Sequence, residues 1–437
     1  MPIPTLQGLQ TALSGLLAEQ QAMDVAGHNI ANSNTEGYSR ETAVLQTNQP
    51  LVIPALSEVT GKGGQLGTGV SVATYTRIRN SYLDAQYRTQ NSALSAAGTQ
   101  SEELQQVQSA FSEPSSSGIS SRLSAFWSAW SSLAEAPSSL AAKEGVVSAG
   151  NELAVALNQL SSQISTVSSQ ATQQYASLTG PGGEVQDDAN QIAQLNQQIK
   201  LAEEAGQQPN DMLDRRDTLL DKLSALAQVT VTQQPDGTDT VGFGDAAKPL
   251  VEGSTVNWPQ TLTAAAGGQL GALLSLTGAS GTLASYQSAL DNVAGEVAST
   301  VNGLHTSTPF FSGTTAATLA VAVTPPQVQT SSTEIAAGND VAQAIAALRG
   351  GSADQSYAAL VEQVGSDVKT SQDEQVNSQT MVTAVNNQRQ SVSGVSLDEE
   401  MTNLISFQRG YQASARTLTA MDSMLETLIE HTGIVGL

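Results

Sequence analysis

Ser396-Leu-Asp-Glu-Glu-Met-Thr-Asn-Leu-Ile-Ser-Phe-Gln-Arg-Gly-Tyr-Gln-Ala-Ser-Ala415 opens the most legible element of this chain. Ser396 and Glu399 have the spacing of a capping box, and Asp398, Glu399 and Glu400 suit the positive end of a helix dipole. Gly433 supplies a stop, so the pattern predicts one helix of about 34 residues, roughly 50 Å long at 1.5 Å per residue. Its apolar positions are Leu397, Met401, Leu404, Tyr411, Ala415 and Leu418, drifting to Met421, Met424, Leu425 and Leu428. Such a stripe needs a partner.

The other end of the chain carries one. Residues 5–32 read as a helix with Leu6, Leu9, Leu13, Leu16, Gln20, Met23, Gly27 and Ile30 at alternating steps of three and four, a heptad seam. Gly8, Gly15 and Gly27 each cost roughly 1 kcal/mol against alanine in a helix interior, so the segment alone is barely helical. Each seam leucine is worth roughly 1.5–3 kcal/mol when fully buried, so the two end helices gain most by packing on each other or on neighbouring copies. Periodicity does not separate these two outcomes. On this reading Leu9, Leu13, Leu16 and Ile30 face Leu404, Tyr411, Leu418 and Leu425. Asn29-Ile-Ala-Asn-Ser-Asn-Thr-Glu-Gly-Tyr-Ser-Arg40 then forms a tight turn; Asn29, Asn32, Asn34, Gly37 and Tyr38 are its candidate contact residues in an assembly.

Between the ends the chain is mainly α. Residues 51–78 read as extended, and Tyr82 to about Gln228 as polar helices broken at Glu113-Pro114, Pro137, Gly180-Pro-Gly-Gly183 and Pro209. Leu123, Phe126, Trp127, Trp130 and Leu133 share one helical face, a core stripe rather than a stacking platform for bases or sugars. Asp214-Arg-Arg-Asp217 reads as a paired helix face, with Asp211 and Arg215 at i,i+4. Val229–Thr232 and Thr240–Phe243 flank Pro235-Asp-Gly237, a hairpin signal, so 229–281 is a small β-rich insertion. Helix returns at 282–305, 339–349 and 352–393, with strand-like text at 316–328. The expected organisation is a terminal-helix polymerisation domain (1–50 and 394–437), an elongated helical-bundle rod domain (51–228 and 282–393) and the insertion.

Composition excludes more than it identifies. The 437 residues carry 17 basic and 40 acidic side chains, a net charge of −23, which repels nucleic acid and anionic membrane surfaces alike. With no cysteine there is no disulfide, thiolate nucleophile or cysteine-bound metal. The start, Met-Pro-Ile-Pro-Thr, lacks the pattern of a cleaved secretory signal, and no stretch is apolar enough to cross a bilayer. His28, His305 and His431 are scattered without metal-ligand spacing, and no nucleophile elbow, P-loop or dinucleotide fingerprint appears. Gly61-Lys-Gly-Gly64 reads as a turn, and Glu102-Glu103 and Glu399-Glu400 as solvated faces. No catalytic, cofactor or metal site is expected.

The stretch Asn29–Arg40 closely resembles the N-terminal motif of the axial proteins of the bacterial flagellum, whose two terminal helices pair into the inner tube of rod, hook, junction and filament. Gly37-Tyr-Ser-Arg40, Ser393–Glu400, Phe407–Ala415, Asp214–Asp217 and Val301–His305 with Phe310-Phe311 resemble the junction branch of that family. The matches cover about a quarter of the chain; the loop between His305 and Phe310 is shorter than in the family. The resemblance implies a non-enzymatic subunit joining hook to filament, exported unfolded by the flagellar type III system and extracellular. The partners it implies are copies of itself in a ring-like assembly, hook protein, a second junction protein (hook-associated protein 3) and an export chaperone. Another axial subunit, of hook or distal rod, is the nearest alternative.

Overall fold

The computed structural model describes residues 4–53, 64–333 and 338–431. Gly61-Lys-Gly63, the stop at Gly433 and the side chain of Leu6 lie outside what is described. Helix α1 runs Pro4–Ala31 and is followed by strands β1 (Glu41–Thr47), β2 (Leu51–Ile53), β3 (Gly64–Leu66) and β4 (Val70–Arg77). These strands form an antiparallel ribbon, β1 on β4 and β2 on β3, with Glu41 opposite Arg77 and Thr47 opposite Val70.

Five helices follow: α2 (Ser81–Phe111), α3 (Ile119–Glu135), α4 (Leu140–Thr179), α5 (Glu184–Glu204) and α6 (Asn210–Leu226). The gaps fall at the four proline-bearing breaks, because proline cannot continue a helix and pushes its predecessor out of the helical region. The starts are fixed locally: Asn80 accepts hydrogen bonds from Tyr82 N and Leu83 N, and Ser139 from Ala142 N. A four-stranded antiparallel sheet comes next, in the order β5 (Val229–Gln233), β6 (Asp239–Phe243), β7 (Val251–Glu252), β8 (Thr255–Val256). Helices α7 (Gly268–Thr277) and α8 (Thr282–Leu304), the short pair β9 (Phe311–Ser312) and β10 (Ala320–Val321), and helices α9 (Asp340–Ala346), α10 (Ser352–Ser393) and α11 (Leu397–His431) complete the chain.

Two hydrophobic cores organise the body. In the first, Phe126 and Trp130 of α3 meet Phe310 and Phe311, with Phe310–Phe311 ring centroids 4.8 Å apart, and Tyr286 and Tyr357 are buried alongside. His305 sits wholly inside this core: its Nδ1 lies 2.5 Å from Thr308 O, and its Nε2 accepts from Gln329 N at 2.8 Å. It serves packing, and burial depresses its basicity. The second core joins α5, α6 and the sheet through Val185, Ile192, Leu220, Leu223, Val241 and Phe243.

Two local readings differ from the sequence pattern. The stretch read as β-rich through residue 281 contains α7, whose Leu270 belongs to the second core and Leu276 to the first, so this helix bridges the two. Flanking glycines at 267, 268 and 278 hide so short a helix from pattern reading. Of the strand-like stretch 316–328, only Ala320–Val321 pairs, because Pro325-Pro326 turns the chain into a single 3-10 turn capped by Thr324 and Gln327.

Candidate functional site

Helices α1 and α11 pack antiparallel: Gly8 lies beside Met421, Gly15 beside Ser414, Glu19 against Gly410, and Asn29 hydrogen bonds to Glu400. The backbones approach closely. A methyl group on Gly8 would come 2.6 Å from Met421 Cε, one on Gly410 2.6 Å from Glu19 Cδ, and one on Gly15 3.1 Å from Ser414 Oγ. Two of the three glycines that weaken α1 in isolation are therefore what admits α11.

The buried stripe of α1 is made of Ala12, Ala18, Ala22 and Ala26, not of its leucines. Leu9, Leu16 and Ile30 are half-buried and Leu13 is 43% exposed, with Leu17 beside it at 49%. On α11 the inward positions are Leu404, Phe407, Tyr411, Leu418, Met421 and Leu425, all half-buried, while Leu397, Met401 and Ile405 are exposed. Within the chain, Leu13 does not occupy the seam that the heptad pattern gave it. Met421 of α11 packs above Gly8 of α1; Leu9, Leu16 and Ile30 are half-buried like their expected counterparts on α11, and Leu13 alone of the four lies outside.

The turn after α1 fastens this pair to the body. The Asn29 side chain spends every hydrogen-bonding group: Nδ2 donates to Glu41 O (2.9 Å) and Glu400 Oε2 (3.1 Å), while Oδ1 accepts from Glu41 N (2.9 Å) and Tyr38 Oη (2.8 Å). Asn32 closes the turn, donating to His28 O (3.1 Å) and accepting from Thr35 Oγ1 (3.1 Å), while Asn34 is exposed. Gly37 has φ +79°, and a methyl group there would collide with Thr218 Oγ1. Ser39 donates from N (2.8 Å) and Oγ (2.7 Å) to Asp214, and Arg40 makes 2.8 Å ion pairs with Glu399 and Glu400. Glu399, read as a capping partner of Ser396, thus has its carboxylate on Arg40. Burial, followed by the charge of Glu41, pushes the Tyr38 hydroxyl far up, so it stays a donor.

Below the turn lies a feature the sequence reading missed. Asp214, Asp217 and Asp221 project from one face of α6 towards arginines from four other places in the chain. Arg77, at the end of β4, reaches Asp214 (2.6 Å) and Asp217 (3.0 Å). Arg79 takes Asp84 (2.9 Å) and Asp217 (3.2 Å), Arg88 takes Asp217 (3.0 Å) and Asp221 (2.8 Å), and Arg389 takes Asp84 (2.8 Å) and Asp221 (2.7 Å). Four arginines and four aspartates therefore form one closed, mostly buried group. Burial alone would raise the Asp217 pKa, but Arg79, Arg77 and Arg88 outweigh it and hold the carboxyl below its usual range. The expected Asp211–Arg215 ion pair does not occur among the described residues. The available signal was the spacing of Asp214, Asp217 and Asp221 opposite a leucine face. Above the cluster a polar cleft of about 850 Å³ opens between the turn, α2, α6 and the end of α10.

Helices α1 and α11 thus form one antiparallel pair beside a separate helical body. The rod-protein family described as "Flagella basal body rod protein" matches residues 9–38, and "Flagellar basal body rod FlgEFG protein C-terminal" matches 379–430. "Flagellar hook-associated protein FlgK helical domain" matches residues 104–265. Flagellar hook-associated protein 1 of Bacillus subtilis is 28% identical over 99% of both chains. That of Salmonella typhimurium is 29% identical over 56% of this chain and 42% of its own length, so this chain spans less than half of that longer relative. A solved hook junction protein FlgK from Burkholderia pseudomallei is 26% identical, covering 52% of this chain and 44% of its own, with a TM-score of 0.45. The chain is thus similar to flagellar hook-associated protein 1 along its whole length and to the helical domain of that protein over residues 104–265.

Proposed function

We propose that this chain is a structural subunit of the bacterial flagellum that joins hook to filament, built into a ring through its terminal helices. The observation that carries the reading is the outer surface of the helix pair. After α1 and α11 have satisfied each other, Leu13, Leu17, Leu397, Met401 and Ile405 still face outwards, and such apolar surface is the property of a subunit whose neighbours are missing. Its partners are copies of itself, hook protein on one side and hook-associated protein 3 on the other. The chain travels unfolded through the flagellar type III channel with an export chaperone before it folds outside the cell. The lack of cysteine suits that route. The role is mechanical, not enzymatic.

Deleting the gene tests the assignment. Cells with hooks, no filaments and unpolymerised flagellin in the medium are the expected result. Missing hooks would move the chain to hook or rod, and intact motility would remove it from the flagellum.

A further inference from the structure

We propose that the arginine–aspartate cluster is a releasable latch: it holds the terminal helix pair and ribbon at one angle to the body, and neutralising it lets them swing with both parts still folded.

Among the described residues the two parts share no hydrophobic core. Both core clusters are built from residues 104 onwards, and none of their members comes from α1, the β1–β4 ribbon or α11. The chain crosses between the parts twice, at Ile78–Asn80 and at Ser393–Ser396. Among the described residues the hydrogen bonds and ion pairs that link them are Ser39 and Arg77 on Asp214, Arg77 on Asp217, Arg79 on Ser39 Oγ (3.2 Å), Asn210 Nδ2 on Tyr75 O (3.2 Å) and Arg40 N on Ser393 O (2.9 Å). An interface of this kind resembles a transient contact, and relative motion is its default unless something specific holds it. The specific element is the charge cluster. Its members are worth keeping together only as a complete set, because a buried arginine that loses its carboxylate must regain water. Separating the two parts offers that water without disturbing either core, and the polar cleft at the joint already gives solvent an entry.

The test uses the full chain. Because it has no cysteine, Gln46→Cys in the ribbon and Gln173→Cys on α4, both exposed, can carry a pair of spin labels. The parent should give one narrow distance distribution. Asp214→Asn with Asp217→Asn, and separately Arg77→Gln, should each broaden or split it. All three tryptophans, Trp127, Trp130 and Trp258, lie in the body, so an unchanged fluorescence spectrum and unfolding midpoint show that the body is intact. A distribution that stays narrow overturns the latch. Loss of native tryptophan emission in both variants also overturns it, since the cluster would then be part of the body's own stability. The inference concerns the free chain, so its failure leaves the junction reading untouched.

Discussion

Helix α3 hides Phe126, Trp127 and Trp130 almost completely, whereas α1 hides Ala12, Ala18, Ala22 and Ala26 and leaves Leu13 and Leu17 outside. Both helices are amphipathic, yet the first buries its large side chains within the chain, whereas the second leaves Leu13 and Leu17 exposed, a surface that the proposed assembly would cover. A helix that must serve an internal and an external partner at once needs two faces. Alanine and glycine give the internal one a close backbone approach with little apolar surface. On the proposed reading the body carries most of the monomer's stability and the helix pair the contacts to neighbouring subunits.

The strongest challenge to this contrast is Trp130→Ala. Opening a cavity beside Phe126 and Phe310 should cost about 3–5 kcal/mol in denaturant unfolding. A loss under 1 kcal/mol would show that the body is not the stable half. Asn29→Asp keeps the shape but removes both donors and sets a second carboxylate against Glu400; we expect a loss of about 2–3 kcal/mol, seen as faster amide exchange in α1 and α11 with α3 unaffected. Uniform acceleration would mean that the two parts unfold as one.

A smaller effect of opposite sign is expected at Asp188 on α5. Its buried carboxyl, one oxygen of which has no hydrogen-bond partner, is pushed up to about 6 by burial, then by Glu184, with Lys222 opposing. A carboxyl whose folded pKa exceeds its unfolded value takes up protons on folding, so it opposes folding increasingly as pH rises from about 4 to 6 and fully above that range. Asp188→Asn should thus stabilise the chain by about 2 kcal/mol at pH 7.5 and by nothing below pH 4. A gain that persists at pH 3.5 would point to packing instead of charge. Leu13→Asp should be the quietest in the monomer, within about 0.5 kcal/mol, because the site is already exposed. Its consequence belongs to assembly, where incorporation should be lost. Normal incorporation would deny the outer face its role.

The helices of the fold could be read because periodicity and prolines are local: the four proline-bearing breaks mark where one helix ends and the next begins. Helix α7 could not, since ten residues between glycines carry too few turns for a period to emerge. The turn Asn29–Arg40 was legible as a site, but its action was not. Asn29 meets Glu400, and Ser39 meets Asp214, across distances that no spacing rule encodes. For the same reason Asp214 and Asp217 looked like an ordinary charged face: their partners Arg77, Arg79 and Arg88 lie more than a hundred residues upstream. The heptad in α1 errs at Leu13 because small residues, Ala12, Ala18, Ala22 and Ala26, fill the buried positions and a leucine-based stripe does not weigh them.

The hydrogen bond from Asn29 to Glu400 joins residues 371 positions apart. Contacts so distant in sequence are slow to form, because a very long loop must close before they contribute anything. A chain delivered from its first residue onwards would have α1 waiting, its glycines keeping it close to coil, until almost the last residue had arrived. The body between can fold first on its local helical contacts. If the outer face of the pair is the proposed assembly surface, it is completed last, when the final helix lies down beside the first.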